Sequence, residues 1–219
     1  MLSRVWPFVA VLVLLCSADA VARSKPEVLL VVRESPSAFL VETVGTRNDE
    51  IFRMKSALEV AGYQVAVTSM SGRPLVFSLD PDMQIVPALT IPEVDVDDYI
   101  AFLVPGVHSH LRPLQPEEIA LAEEIGRTGR PIAAQDGGVG LLGESGVLAG
   151  KRYSYRGEVI GFRLPDNSMV YVDSGGVYAG NSVVQDGNII TSSYSFPHTA
   201  DQTDELMSVF IEELNRATE

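Results

Sequence analysis

The chain has 219 residues, 46% of them hydrophobic and 21% charged, which is enough for one sizeable core and short for two. Twenty-nine Asp and Glu face 16 Lys and Arg, a formal net charge of −13, and no stretch gathers the basic residues. That balance excludes a nucleic-acid surface, and the acidity is read as serving solubility. Arg4 precedes an almost continuously apolar run from Val5 to Cys16, followed by small residues at the spacing a signal peptidase takes. A signal peptide over 1–22, cleaved after Ala20 or Ala22, is expected. An uncleaved anchor is the alternative, but the run is short for a membrane span. Leu15 stands where a lipoprotein would carry a small residue before its cysteine. The protein is therefore expected in a bacterial periplasm or exterior, free of the membrane once cleaved, with residues 27–219 as its domain. Cys16 is the only cysteine, so cleavage leaves no thiol. Structural disulfides, thiolate nucleophiles and Cys-ligated zinc are excluded together.

Residues 27–32 are a short apolar run rich in β-branched side chains, with turn chemistry after it at Ser35-Pro36, and read as a buried strand. Residues 34–49 are polar apart from 38–41, a long connection of the kind that carries function or local structure. Asn48 or Asp49 is expected to cap a helix in which Ile51, Met54, Leu58 and Ala61 recur at helical spacing and which Gly62 stops. A strand over 64–68 completes a βαβ unit, the mark of a parallel sheet with right-handed crossovers. Prolines at 74, 81, 87 and 92 make 69–98 rich in turns, with short strands near 75–78 and 83–86. The acidic run over 93–98 lacks the glycine and terminal glutamate of an EF-hand and reads as a solvated turn. Residues 99–104 are a strong strand ending at Pro105-Gly106. Pro116, Glu117 and Glu118 open a helix with proline at N1 and acids in the first turn; Leu121 and Ile125 lie on its apolar face, and Gly129 ends it.

The chain is organised around residues 131–142. A short apolar run, Asp136, the pair Gly137-Gly138 and a second apolar run read as strand, tight turn, helix. Asp136 is thereby expected at the C-terminal edge of a sheet and the N-terminus of a helix, where open α/β folds put their chemistry. Such an elbow usually carries Ser or Cys; here it carries a carboxylate. A turn follows over 146–150, then strands over 152–155 and 169–172. A hairpin follows over 182–191, with Asp186-Gly187 at its turn. The last element is an amphipathic helix over 204–214 with Leu206, Val209, Phe210 and Leu214 facing inward. No repeat and no linker interrupts what reads as one α/β domain.

Four stretches share an order with a known family. Ala61-Gly62-Tyr63-Gln64-Val65 closes the first βα unit, and Leu103-Val104-Pro105-Gly106 stands where that family usually reads Leu-Pro-Gly-Gly. The elbow over 132–138 is followed by Gly146-Val147-Leu148-Ala149-Gly150-Lys151, and residues 183–192 match the C-terminal hairpin. From about 27 to 215 the chain resembles the PfpI/ThiJ family of the class I glutamine amidotransferase-like superfamily, which includes intracellular proteases, glyoxalases, deglycases and chaperones. The resemblance implies a single flavodoxin-like three-layer α/β sandwich with a mostly parallel sheet, closed by a C-terminal β-hairpin and helix. It also implies a homodimer. The family's conserved acid, twelve residues before the glycine that ends the first helix, falls on Glu50. In the family that carboxyl hydrogen-bonds the nucleophilic cysteine and lowers its pKa. The cysteine itself falls on Asp136, and the histidine that often follows it falls on Gly137. The second glycine of the Pro-Gly-Gly strand end falls on Val107, with His108 beside it. Gly106, Val107, His108, Gly137 and Gly138 are thus the residues implied to line a pocket. Cysteine-dependent protease, glyoxalase or deglycase activity is not expected.

Two ionised carboxylates cannot share a cleft cheaply, so one of Glu50 and Asp136 is expected to hold a proton and the two to titrate as a unit. Three readings follow. In one, the fold persists as a binding or interaction module for a small molecule, with the acids as a structural pair and no cofactor. In another, Asp136 is the nucleophile or general base of a divergent hydrolase or lyase, with Glu50 as its acid partner and elbow N–H groups for an oxyanion. In the third, Asp136, Glu50 and His108, with His110, supply ligand types for zinc or manganese; two exposed loop histidines are the simpler account. His198 has no partner legible in the sequence.

Overall fold

The computed structural model describes residues 26–34, 40–41, 47–77, 80–106, 114–163, 168–193 and 199–219. The expected signal segment over 1–22 lies outside them, as do Ser35, Pro36 and residues 38–39 of the first loop. In chain order the elements open with β1 (Glu27–Val31), β2 (Leu40–Val41), α1 (Arg47–Val60) and β3 (Gln64–Ser69). Next come β4 (Leu75–Phe77), β5 (Asp80–Ile85), β6 (Leu89–Thr90) and two 3-10 turns (Ile91–Glu93 and Val96–Asp98). The middle of the chain is β7 (Ala101–Val104), α2 (Pro116–Arg127), β8 (Ile132–Gln135) and α3 (Gly137–Glu144). Four short strands follow: β9 (Arg152–Tyr153), β10 (Ile160–Arg163), β11 (Met169–Val172) and β12 (Val177–Tyr178). The chain closes on β13 (Val184–Asp186), β14 (Ile189–Ser192) and α4 (Thr199–Thr218).

Seven strands form the main sheet in the order β13-β14-β8-β7-β1-β3-β6. All neighbours are parallel except β13 and β14. The central strands are apolar on both faces, as a parallel sheet covered on both sides requires. Successive side chains alternate between two cores. Leu29, Val31, Phe102, Val104, Ile132 and Ala134 pack with Leu121 and Ile125 of α2 and Val139 and Leu142 of α3. Val28, Leu30, Ala101, Leu103, Ala133 and Ile190 pack with Ile51, Met54 and Leu58 of α1 and Leu206, Phe210 and Leu214 of α4. The result is a three-layer α/β sandwich, in which each fully buried aliphatic side chain contributes roughly 1.5–3 kcal/mol.

The strand order places the site. From β1 the chain builds outward to β3 and β6, then returns to β7 on the other flank of β1 and continues to β8 and β14. The carboxyl ends of β1 and β7 therefore flank a topological switch point, the usual place for a crevice in such sheets. A buried ion pair, Arg33 Nε to Glu118 Oε2 at 3.5 Å, ties the end of β1 to the first turn of α2. Glu118 Oε2 also accepts from Gln115 N–H at 2.9 Å, closing the amino end of the helix that Pro116 begins.

Local details differ from the sequence reading in physical ways. α1 begins at Arg47, so Asn48 and Asp49 lie in its first turn instead of capping it. The helix ends at Val60, and Ala61 is exposed in the turn where Gly62 takes φ 97°. In the C-terminal hairpin Asp186 pairs with Ile189, so the two-residue loop is Gly187-Asn188 and not Asp186-Gly187. Gly187 takes φ 63° at the first central position, where a primed turn needs it. α4 starts five residues earlier than its apolar stripe suggests, and Val209 is only partly buried while Met207 joins the core. Strands β10 and β12, each in a separate two-stranded sheet, were not legible as strands.

Candidate functional site

β8 is buried throughout and runs between β7 and β14. Asp136 N–H donates to Ser192 O at 3.0 Å, one step beyond the strand, and the backbone then breaks sharply. Asp136 takes φ 39° and ψ −104°, and among the described residues it is the one non-glycine with positive φ. Such a conformation costs of order 1–3 kcal/mol and persists where the surroundings over-determine it. Here they do. Gly140 N–H returns to Asp136 O at 3.2 Å to open α3. The helix is pressed so closely on β7 that a Cβ on Gly138 would lie 2.1 Å from Val104 O. Gly137 and Gly138 both lie buried in that first turn.

Glu50 arrives from the first turn of α1 and is 3% exposed. Its Oε1 accepts from Gly106 N–H at 2.7 Å, just past the end of β7. Gly106 is where the ends of β7 and β8 meet the first turn of α1. A Cβ there would sit 3.0 Å from Asp136 Cβ, 3.0 Å from Gln135 O and 3.2 Å from Glu50 Oε1. The fold thus brings Glu50, Gly106, Asp136, Gly137 and Gly138 into one place. Val107, His108, His110 and His198 lie outside the described residues. Among the described residues no group of three or more His, Cys, Asp and Glu side chains could hold a metal ion.

Asp136 is completely buried, and the cation beside it is Arg156, whose Nε lies 3.9 Å from Oδ1. Glu50 thus accepts a backbone N–H, and Asp136 has a guanidinium beside it. The sequence reading had the two acids compensate one another by sharing a proton and did not include Arg156. No pattern could have marked it, because a lone arginine past the end of a short strand carries no spacing signal. The Arg156 guanidinium lies 5.5 Å from the centre of the Tyr155 ring. Tyr155 is 1% exposed; burial first, and then the Asp136 charge, push its hydroxyl above the ordinary tyrosine value, with Arg156 opposing. The segment is pinned on both sides, Ser154 N–H to Thr191 Oγ1 at 2.8 Å and Tyr155 N–H to Gly180 O at 3.1 Å. Beneath the elbow, Gln135 Nε2 donates to Ser193 O at 3.3 Å and its Oε1 accepts from Thr203 Oγ1 of α4 at 3.0 Å.

Comparison with known proteins agrees with this architecture. The sequence model of the DJ-1/PfpI family matches residues 37–210. An uncharacterised protein of Archaeoglobus fulgidus is 31% identical over 144 residues, which is 65% of this chain and 80% of that one. Among solved structures, a ThiJ/PfpI domain protein from Brachyspira murdochii superposes with a TM-score of 0.63 at 17% identity, covering 88% of this chain and 99% of its own. A DJ-1 superfamily protein from Agrobacterium tumefaciens gives 0.61 at 15% identity, over 87% of this chain and 90% of its own. At those identities the structures bear on the fold alone, and the fold they share is the flavodoxin-like sandwich with its mostly parallel sheet.

Proposed function

This chain belongs to the DJ-1/PfpI family, and on that premise we propose that it is a member without the catalytic cysteine, acting as an exported binding module for a small polar molecule at the β8–α3 elbow. One observation carries the reading. The residue at the strained bend is a fully buried aspartate beside Gly106, whose N–H Glu50 accepts, in the position the sequence resemblance assigns to the nucleophile. A chain that needed only the turn would place glycine there. Retaining a carboxylate at a cost in backbone energy argues for a group that something recognises. The resemblance implies a pocket over Gly106, Val107, His108, Gly137 and Gly138, and a concave site of that kind takes a small ligand rather than a polymer.

Binding is put before turnover because the residue at the position that the resemblance assigns to the family's nucleophilic cysteine is Asp136, and cleavage after Ala20 or Ala22 would leave no thiol in the chain. The reading extends to a homodimer and to export, the latter resting on the residue pattern over 1–22. Among the described residues no helix is long and apolar enough to cross a membrane.

Wild type and Asp136→Ala, given a panel of esters, amides and α-oxoaldehydes, are expected to show the same background conversion. Turnover by wild type that Asp136→Ala abolishes would replace the binding reading with a divergent hydrolase or lyase using the two carboxylates. Elemental analysis of untagged protein is expected to show no stoichiometric zinc or manganese. Sedimentation is expected to give a dimer, and cell fractionation to place the protein outside the cytoplasm.

A further inference from the structure

The elbow has a cation that neither the resemblance nor the sequence assigns. From its geometry we infer that Arg156 is a positioning residue of the site: its guanidinium, laid toward the Tyr155 ring, holds the anionic side chain at position 136 in place. The inference rests on the proposed reading of residue 136 as the working group, and deepens it. Among the described residues, the charged and titratable groups near that position include Glu50 from α1 and Tyr155 and Arg156 from the segment after β9.

Three observations separate this contact from an ordinary surface pair. An exposed ion pair contributes little because water screens it and two long side chains must be ordered. Here Asp136 is 0% exposed and Arg156 36% exposed, so the guanidinium spans the boundary between solvent and a sealed acid. A buried carboxylate needs such compensation, since an uncompensated one is costly. The distance, 3.9 Å, is that of an ion pair and beyond hydrogen-bond length, so the contact acts through charge. Finally, the cation is seated. Its guanidinium is 5.5 Å from a ring that is itself fixed by burial and by backbone bonds at Ser154 and Tyr155. Arginine on an aromatic platform is preorganised in a way lysine is not.

The test uses a thiol as a reporter of charge at position 136. In the full chain, Cys16→Ser combined with Asp136→Cys leaves one cysteine, and its ionisation is read from thiolate ultraviolet absorbance against pH. The midpoint is expected below the ordinary thiol value of about 8.5, because a cation at this range favours the thiolate. Adding Arg156→Gln is expected to raise the midpoint by about one unit or more, a tenfold change in thiolate fraction near neutrality. Arg156→Lys is expected to recover part of the shift. A midpoint that Arg156→Gln leaves in place while Glu50→Gln moves it would sink the assignment of Arg156 and keep the elbow reading. So would an Arg156→Lys variant no better than Arg156→Gln. A thiol at the ordinary value that responds to neither substitution would sink the elbow reading itself. In the protein with Asp136 intact, the Asp136 carboxyl carbon resonance is expected to move on Arg156→Gln; an unchanged resonance overturns the assignment without any cysteine variant.

Discussion

The ends of β7 and β8 lie side by side, and the residues that leave them have opposite characters. Gly106, after β7, is a glycine that stays out of the left-handed region. Asp136, after β8, is a residue with a side chain that enters it at φ 39°. Backbone preference alone would exchange the two, since positive φ is where glycine has its advantage. What decides both positions is space and charge. A Cβ on Gly106 would crowd the Asp136 side chain, the Gln135 carbonyl and the Glu50 carboxylate, at 3.0 to 3.2 Å. At 136 a carboxylate is kept although the backbone objects. The glycine is there to make room, and the strain is carried where a side chain is wanted.

Substitutions along the two strand ends break that contrast with graded effect. Gly138→Ala is expected to cost the most, beyond the roughly 1–3 kcal/mol typical of overpacking, because the added carbon meets a backbone carbonyl that cannot rotate away. A urea midpoint equal to wild type would show that α3 does not rest on β7. Gly106→Ala meets its neighbours less closely and is expected to lose roughly 1–3 kcal/mol while displacing Glu50 or Asp136. Asp136→Gly and Asp136→Ala both remove the carboxylate, so their difference isolates backbone strain. Glycine is expected to be the more stable by roughly 1–2 kcal/mol. Equal melting temperatures for the two would mean the bend is not strained.

The smallest effect sharpens the charge side of the contrast. Tyr155 has a folded-state pKa raised above its ordinary 10.0, by burial and then by Asp136. Its contribution to stability is therefore complete below about pH 10 and is lost as pH rises through the folded value, because the unfolded chain releases the proton first. Tyr155→Phe is expected to reduce the alkaline decline in stability, and Asp136→Asn to bring the Tyr155 absorbance titration part of the way back toward 10.0. A titration indifferent to residue 136 would place no charge near that hydroxyl.

Much of the frame was legible because it follows from one-dimensional pattern. The continuous apolar runs of β1, β7 and β8 could only be strands covered on both faces, and Gly137-Gly138 after a lone polar residue could only be a turn into a helix. Glu50 was legible through the resemblance, not through its spacing. What was not legible depends on distance in space. Arg156 reaches Asp136 from twenty positions further along, after a two-residue strand with no periodicity. The hairpin loop was misplaced by one residue because Asp-Gly is as good a turn signal as Gly-Asn, and only the pairing of Asp186 with Ile189 decides between them. α4 extends back over a polar stretch whose Thr203 is buried by its bond to Gln135, a tertiary reason that propensity does not contain.

The central claim is that the carboxylate at the elbow recognises a ligand and does not transform it. Ligand-observed NMR with a panel of small polar carbonyl compounds, amides and amines, run on wild type and Asp136→Asn, tests it most directly, since asparagine has nearly the shape of aspartate and removes the charge. The account predicts compounds that bind wild type, lose that binding in Asp136→Asn, and remain chemically unchanged on long incubation. Binding indifferent to residue 136, or conversion by wild type that the variant lacks, would contradict it.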